Sequence, residues 1–327
     1  MNRVRWGLLS TANINRRLIP AIQASQRGQL VAVASREKSK AKAYAATWEI
    51  PHAFEGYQAL LESDLIDAIY ISLPNHLHAE WSIKAMQAGK HVLCEKPIAL
   101  SISEVDQMIE ASKKYDRVLA EAFMYRHHPQ IKIAGQWVQS GKIGDPLLVH
   151  SLFNYKLTGS RNVRQIPEYG GGCLWDVGVY PISFAQFIYG RPPKTVNGFQ
   201  IVGETGVDDL FAGQLCFPNG SLAQINASFL SPFQTIAEVI GTEGRLLLTR
   251  PFISLDDGRQ MTFFPANGSP VEIPVPEVEL YSGEVEDMNN AILDHSPTYL
   301  SLEESRSHIR TVLALYESAR NNHNVEL

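Results

Sequence analysis

The first third of the chain alternates short apolar runs with amphipathic stretches, and this alternation restricts the possible folds most strongly. The runs fall at 4–10, 30–35, 67–74, 91–96 and 117–123. Each run is apolar enough to be buried on both faces of a sheet. Strands that alternate with helical segments are typical of βαβ units, which build a parallel sheet. We therefore predict five parallel strands in a doubly wound α/β domain.

The pattern changes after about residue 125. One helix is predicted near 128–140, and strands then dominate, separated by hairpin-type turns in "FPNGS" and "GTEGR". A long helix is predicted near 302–320. The sequence thus predicts two domains, 1–123 with a doubly wound parallel sheet and 124–327 with an α+β fold built on a large, mostly antiparallel open sheet.

One predicted strand of the second domain indicates how its sheet is used. In "LAQINASF" the residues Ala223, Ile225, Ala227 and Phe229 alternate with polar residues. This period of two gives the sheet one core face and one polar face. The polar face can be solvated, or it can pack against a second copy of the chain, and alternation alone does not choose between these.

Composition narrows the classes of partner and compartment. The 327 residues carry a formal net charge of -5, with no run of like charges, so nothing favours nucleic acid or an anionic membrane over a small molecule. The three cysteines show no spacing typical of a disulfide framework or a zinc site. We expect no metal, no export signal and no membrane span, and a cytoplasmic location.

A tight turn follows the first predicted strand. Backbone N–H groups at such a turn, and at the start of the next helix, can face a pyrophosphate. Ser10 and Ala12 stand where two glycines are expected. From the pattern alone, a phosphate loop and a plain buried strand with a turn are both open. The candidate cofactor-binding residues of this turn are Ser10, Thr11, Ala12, Asn13 and Ile14.

The end of the second predicted strand bears on which dinucleotide would fit. A site specific for NAD places Asp or Glu there, whereas this chain has Ser35 and Arg36, with Lys40 one helical turn later. A hydroxyl followed by arginine suits a 2′-phosphate. The alternative is that Arg36 caps a solvated helix. Its position at the strand end favours NADP over NAD.

Two further stretches carry candidate catalytic residues. Lys96, in "CEKP", ends the fourth predicted strand at the edge where open α/β sheets bind ligands, and it can stabilise an alkoxide. Asp176 and Tyr180 lie four residues apart in a predicted helix and so share one face. They are either a helix cap and a core residue, or a proton-transfer pair.

Several motifs along the chain together resemble the Gfo/Idh/MocA oxidoreductases, the glucose–fructose oxidoreductase and inositol dehydrogenase family. They are "WGLLSTANI", "ASREKSKAKAYA", "PNHLH", "HVLCEKP", "EAFMYRHHP", "GKIGDP", "GGGCLWDVGVYPI" and "GTEGRLLL". The resemblance implies a Rossmann domain followed by an α+β domain. It also implies a dimer or tetramer formed through the second sheet.

The resemblance assigns roles to the catalytic candidates. Lys96 matches the family's catalytic lysine, Asp176 matches the aspartate of its D-x-G-x-H motif, and Tyr180 replaces the histidine. That replacement and the S-T-A turn are shared by the branch similar to dimeric dihydrodiol dehydrogenases and NADP-dependent D-xylose dehydrogenases.

The same resemblance implies further contacts. It places Leu73, Pro74, Asn75, His78 and Glu95 beside the cofactor. Arg164 is implied to reach the active site. Apart from the resemblance, five aromatic residues can either stack on a sugar ring or fill the core: Tyr125, Phe153, Tyr155, Tyr169 and Trp175. His127 and His128 receive no role.

The implied reaction is reversible hydride transfer between nicotinamide and a hydroxyl-bearing carbon of a sugar, cyclic polyol or dihydrodiol. Tyr180 would act as general acid and base, and a tyrosine pKa near about 10 means that it needs a nearby cation, which Lys96 can supply. Two alternatives stay open. One is an NADP-sensing regulator without turnover, and the other is a redox-neutral enzyme that processes glycosides.

Overall fold

The computed structural model describes residues 3–159, 162–253 and 258–327. The chain divides into two compact units, of which the first comprises residues 1–127 and 279–306 and the second 128–278 and 307–327. The sequence prediction of two contiguous domains did not anticipate that a late segment groups with the first unit.

The first unit is built on a six-stranded parallel sheet of strand order β3-β2-β1-β4-β5-β6. Its doubly wound architecture confirms the predicted fold class. The strands are β1 Val4–Leu8, β2 Gly28–Ser35, β3 His52–Glu55, β4 Ala68–Ile71, β5 His91–Glu95 and β6 Leu119–Ala122. The helices are α1 Asn15–Ala24, α2 Lys38–Thr47, α3 Tyr57–Leu61, α4 His78–Gln87, α5 Ile102–Tyr115, α6 Met124–His127 and α9 Ser282–Leu293.

A buried polar contact joins α9 to this sheet. The indole nitrogen of Trp6, on β1, donates to Asn289 Oδ1 at 3.0 Å, and both side chains are fully buried. A buried indole N–H needs an acceptor, so this hydrogen bond fixes where α9 packs. It explains why residues far along the chain belong to the first unit.

The second unit is built on a nine-stranded sheet of strand order β14-β13-β12-β11-β7-β10-β9-β8-β15. In this second sheet, the described residues form one parallel pair, β7–β10, and the other pairs are antiparallel, so the predicted mostly antiparallel sheet is confirmed. The strands are β7 Pro146–Asn154, β8 Thr195–Val202, β9 Asp208–Cys216, β10 Leu222–Ser228, β11 Gln234–Gly241, β12 Gly244–Thr249, β13 Gln260–Pro265, β14 Val271–Glu272 and β15 Val325–Glu326. The helices are α7 Pro129–Gln139, α8 Val179–Tyr189 and α10 Leu302–Asn321, the last from Ser307 onward.

The two faces of this sheet differ as the alternation predicted. Ala223 and Ala227 on β10 are fully buried, whereas Gln224 between them is exposed. The buried face packs against α8, whose residues are almost all buried. Within the described residues, none of the helices is both long and apolar enough to cross a membrane.

Candidate active site

The turn after β1 needs no glycine in this protein. None of residues 10–14 has a positive φ, so side chains are tolerated without backbone strain. The Ser10 hydroxyl is buried and accepts a hydrogen bond from the Ala12 amide at 3.1 Å. It also shares a hydrogen bond of 2.8 Å with the Ser72 hydroxyl. In this structure Ser10 therefore shapes the turn rather than offering a free hydroxyl to a phosphate.

Asn15, the first residue of α1, completes the same network. Its side-chain amide donates to the Ser10 carbonyl at 2.8 Å, and its Oδ1 accepts from the Ser72 hydroxyl at 2.6 Å. Sequence reasoning missed Asn15 and Ser72, because their hydrogen bond joins the start of α1 to the end of β4, 57 residues apart. The only local signal was an amide side chain directly after the turn.

The end of β2 presents an available cation. Arg36 is exposed, and its guanidinium makes no hydrogen bond or ion pair within the described part of the chain. Its charge lowers the pKa of Tyr57, although burial has the larger, opposite effect on that group. The predicted partner Lys40 is instead paired with Glu37 at 2.6 Å on an exposed helical turn. Ser35 is buried beneath this edge.

The turn that carries Lys96 follows β5 at the same edge of the sheet. Glu95 accepts a short hydrogen bond from the Tyr70 hydroxyl. His78 is fully buried, with Nδ1 at 2.7 Å from the Pro97 carbonyl and Nε2 at 2.8 Å from the Leu73 carbonyl. Burial lowers the pKa of His78, and the nearby Lys96 charge lowers it further. His78 thus ties together the two segments that follow β4 and β5.

In the second unit, the glycines of "GGGCLWDVGVY" are required by their surroundings. A Cβ on Gly171 would lie 2.6 Å from the Arg164 carbonyl oxygen. Gly172 has a φ of +119°, and a Cβ there would lie 2.0 Å from Asp208 Oδ1. The Gly172 amide donates to the Arg164 carbonyl at 2.9 Å. This close backbone approach brings Arg164 beside the segment that carries Asp176.

Asp208, at the start of β9, anchors this segment. Its buried carboxylate accepts from the Leu174 amide at 2.8 Å, the Tyr316 hydroxyl at 2.6 Å and the Cys173 thiol at 3.1 Å. Burial raises the pKa of the Cys173 thiol, and the Asp208 charge raises it further. The thiol is therefore held in its protonated form, in which it donates to the carboxylate.

Asp176 is the centre of a charged cluster on the π-helical turn Leu174–Gly178. Its Oδ2 accepts from the Tyr155 hydroxyl at 2.7 Å and from Arg164 Nε at 2.8 Å. Asp176 raises the pKa of Arg164, and burial followed by Asp176 raises that of Tyr155. The cluster therefore holds an arginine cation, an aspartate anion and a neutral phenol.

Tyr180 lies one helical turn after Asp176, near the start of α8. Its side chain is 4% exposed, and its ring lies 5.3 Å from that of Phe153 and 5.6 Å from that of Phe252. Tyr180 also interacts electrostatically with Arg164. Sequence reasoning placed Asp176 and Tyr180 together and named Arg164, but it gave Tyr155 only as one of several aromatic residues.

Tyr125, Trp175 and His128 make contacts that are common in protein cores and at helix ends. Tyr125 is fully buried against Phe123, and Trp175 is 8% exposed with its ring against Tyr316. Such surroundings are typical of core side chains. His128 Nδ1 accepts from the Gln130 amide at 3.2 Å and so caps α7, while burial lowers the pKa of His128 to about 4.

Two family models match the chain where these clusters lie. Residues 4–123 match an oxidoreductase family model with an NAD-binding Rossmann fold, and residues 131–247 match the GFO/IDH/MocA C-terminal domain. The chain belongs to the Gfo/Idh/MocA oxidoreductase family. The resemblance found from the sequence motifs is thereby confirmed.

Relatives within this family act on sugars or diols. The chain is 36% identical to D-xylose 1-dehydrogenase (NADP(+)) 2 of Haloferax volcanii, over 98% of this chain and 99% of that protein. It is 30% identical to trans-1,2-dihydrobenzene-1,2-diol dehydrogenase of Danio rerio, over 85% and 82% of the two chains. A solved 3-ketoreductase from Actinomadura kijaniata, in complex with NADP and TDP-benzene, superposes with a TM-score of 0.91 at 28% identity, covering 97% and 98%.

Proposed function

We propose that this protein is an NADP-dependent oxidoreductase that transfers a hydride between nicotinamide and a hydroxyl or carbonyl carbon of a sugar, cyclic polyol or dihydrodiol. Relatives named as an NADP(+) D-xylose dehydrogenase and as a dihydrobenzenediol dehydrogenase support this substrate class. The observation that carries the proposal is the charged cluster of Asp176, Arg164 and Tyr155 beside Tyr180. A regulator that only senses NADP has no need of an organised proton-transfer set.

The residues of the first unit fit a dinucleotide that carries a 2′-phosphate. Arg36 offers a guanidinium that makes no hydrogen bond or ion pair within the described residues, and guanidinium groups bind phosphate bidentately. The N-cap of α1, Ile14, supplies no side-chain acceptor, and the Asn15 and Arg17 amides donate to the Ala12 and Ile14 carbonyls at 3.1 and 2.8 Å. The partly positive N-terminus of this helix would therefore attract a phosphate mainly through its dipole. Bound NADP would supply the hydride acceptor, and NADPH the donor.

In the proposed mechanism, the protein moves the proton and stabilises charge. Tyr180 takes the proton of the substrate hydroxyl during oxidation and returns it during reduction. Arg164 is a cation that acts on Tyr180, and a cation stabilises the phenolate form that Tyr180 needs to accept the proton in oxidation and that it regains when it donates the proton in reduction. Lys96 stabilises the negative charge that develops on the substrate oxygen. Asp176 fixes the orientation of Arg164 through its hydrogen bond of 2.8 Å.

The experiment that tests this proposal is Tyr180→Phe, followed by NADPH absorbance with a panel of aldoses, polyols and dihydrodiols. Loss of the acid and base group should lower kcat by about a hundredfold or more, with little change in NADPH affinity. Tyr189→Phe is the matched control, because it removes a buried hydroxyl from the same helix that donates only to the Leu222 carbonyl. If Tyr180→Phe keeps near-full turnover, Tyr180 is not the acid and base.

The same panel separates the alternatives. Tight NADPH binding without turnover of any member would favour a regulator. Product formation without a net change in nicotinamide absorbance would favour a redox-neutral cycle.

The proposed cofactor preference has a separate test in Arg36→Ala. The ratio of NADP to NAD affinity should fall by about tenfold or more, because charge-assisted contacts to a 2′-phosphate are lost. Lys42→Ala, which removes an exposed cation from α2, should leave the ratio unchanged. An unchanged ratio in Arg36→Ala would contradict this part of the proposal.

We further propose that a second copy of the chain covers the polar face of the large sheet. Phe199 and Ile201 on β8 are 65% and 54% exposed, and large apolar groups on an otherwise polar face favour a protein partner over water. Phe199→Asp should reduce the molar mass measured by light scattering to that of a single chain, and an unchanged mass would place the contact elsewhere.

The three free cysteines support a cytoplasmic location.

A further inference from the structure

Glu121 is a buried acid next to the turn that carries Lys96. It lies on β6, which pairs in parallel with β5 so that Glu121 is opposite Cys94 and Ala122 is opposite Glu95. Its side chain is 2% exposed. An ionisable group is seldom buried unless its charge is compensated nearby, so the surroundings of Glu121 need an explanation.

One carboxylate oxygen of Glu121 fixes the Lys96 turn directly. The Ile98 amide, two residues after Lys96, donates to Glu121 Oε1 at 2.9 Å in a buried hydrogen bond. On the other side of the same turn, His78 Nδ1 lies 2.7 Å from the Pro97 carbonyl oxygen. The backbone that leaves Lys96 is therefore held by two buried side chains from two neighbouring elements.

The other carboxylate oxygen of Glu121, Oε2, receives little compensation from neutral hydrogen-bond donors. Oε2 is buried and makes no hydrogen bond of ordinary geometry to the described residues. Burial raises the pKa of Glu121 to about 7, the Ser305 hydroxyl and the Ile98 amide lower it, Glu95 raises it, and Lys96 lowers it. Opposite Glu121 across the ladder, burial raises the pKa of the Cys94 thiol, which therefore stays neutral. Lys96 is a positive group that acts on this carboxylate.

We propose that Glu121 is a positioning residue for Lys96: it holds the backbone after Lys96 through the Ile98 amide and, when ionised, interacts with Lys96 through its opposite charge. The inference rests on the proposed function, because it concerns the lysine that stabilises the substrate oxygen. Above about pH 7 the carboxylate form of Glu121 predominates and supplies a counter-charge to Lys96. In more acidic solution Glu121 becomes protonated and that counter-charge is lost.

The first test measures the coupling without turnover. Carbon-13 NMR of glutamate carboxyl groups follows the titration of Glu121, whose signal is assigned by its loss in Glu121→Gln. The wild-type midpoint should lie at about 7, and in Lys96→Met it should rise by about half a pH unit or more, because an opposite charge has been removed. An equal midpoint in the two proteins would overturn the inference, and this result does not depend on whether a substrate has been found.

The second test separates the charge of Glu121 from its anchoring role. Glu121→Gln keeps an oxygen that can accept from Ile98 but removes the charge, so kcat should fall by about tenfold with KM and NADPH affinity close to wild type. The inflection near pH 7 in the dependence of log kcat on pH should disappear. Glu121→Leu removes both roles and should in addition lower the melting temperature.

Glu104→Gln is the matched control in the same unit. Glu104 also accepts a backbone amide hydrogen bond, from Leu100 at 3.0 Å, but it caps α5. This variant should keep the pH profile of the wild type. A Glu121→Gln profile that keeps its inflection near pH 7 would show that the carboxylate has only a structural role. Absence of any turnover in the wild type would refute the proposed function, while the NMR titration would still decide the inference.

Discussion

Two turns carry candidate site residues, one in each compact unit, and their backbones are built in opposite ways. In the turn after β1, none of residues 10–14 has a positive φ, and the Ser10, Asn15 and Ser72 side chains hold the chain by hydrogen bonds. In the segment before Asp176, Gly170 and Gly172 have φ values of +74° and +119°. Here the Arg164 carbonyl and the Asp208 carboxylate occupy the space that side chains on Gly171 and Gly172 would need.

This difference shows when a glycine in a motif can be replaced. Ala12 stands at a position where the family pattern has glycine, yet its conformation is open to any residue. Gly172 has no such freedom, because both its φ and the Asp208 carboxylate exclude a Cβ. A missing glycine is therefore weak grounds for rejecting a site unless the backbone geometry at that position is known.

The largest expected effect is that of Gly172→Ala. A φ of +119° is strained for alanine, and the new Cβ would lie 2.0 Å from Asp208 Oδ1. Strain and the displaced buried carboxylate together should cost more than about 3 kcal/mol in the free energy of unfolding. Denaturant unfolding measures this loss, and turnover should fall too, because the segment also carries Asp176.

Gly220→Ala is the matched control for that variant. Gly220 has a φ of +87° but no atom within 4 Å of an added Cβ, so only the backbone strain of about 1 kcal/mol should appear. Equal losses in the two variants would mean that the contact with Asp208 adds nothing.

The sequence predicted the two fold classes because hydrophobic periodicity is a local signal. It missed β3, whose residues are half-exposed or exposed at the edge of the sheet, and it missed β13, β14 and β15. The sequence prediction placed residues 279–306 in the second domain, whereas the structure groups them with the first unit. The hydrogen bond between Trp6 and Asn289, which holds this segment, joins positions 283 residues apart. No local pattern contains that contact.

The candidate site could be predicted only for residues that stand at defined positions in a sequence motif. Lys96, Asp176 and Tyr180 were found by position in a motif, and their roles stay predictions. The hydrogen bond from Tyr155 to Asp176 was not found, because Tyr155 follows β7 and reaches Asp176 through tertiary packing. Glu121 was read only as part of a buried strand, and its role depends on the register between β5 and β6.

A smaller effect is expected from Asn15→Ala, which tests the turn built without glycine. The variant loses the donor to the Ser10 carbonyl and the acceptor for Ser72, so buried polar groups are left unpaired at a cost of about 1–3 kcal/mol. NADPH affinity, measured by fluorescence titration, should fall by about tenfold because the turn is no longer fixed.

Asn15→Asp sharpens this test. Aspartate keeps an acceptor for the Ser72 hydroxyl but cannot donate to the Ser10 carbonyl, and it adds a negative charge near the proposed phosphate site. It should therefore bind NADPH more weakly than Asn15→Ala, although it keeps one more hydrogen bond. Unchanged affinity in both variants would show that the network does not support cofactor binding.

The smallest effect is expected from Ala12→Gly, which restores the glycine of the usual turn. Because φ at position 12 is already negative, glycine relieves no strain and instead increases the conformational entropy of the unfolded chain, at a cost of about 0.5–1 kcal/mol. NADPH affinity should change by less than about threefold if the methyl group does not obstruct the approach of a phosphate to the N-terminus of α1, since the Ala12 amide already donates to Ser10 Oγ. Affinity that rises tenfold or more would instead show that the methyl group keeps the pyrophosphate away, and that hydrogen bonds from Ser10 and Asn15 only partly replace what glycine provides.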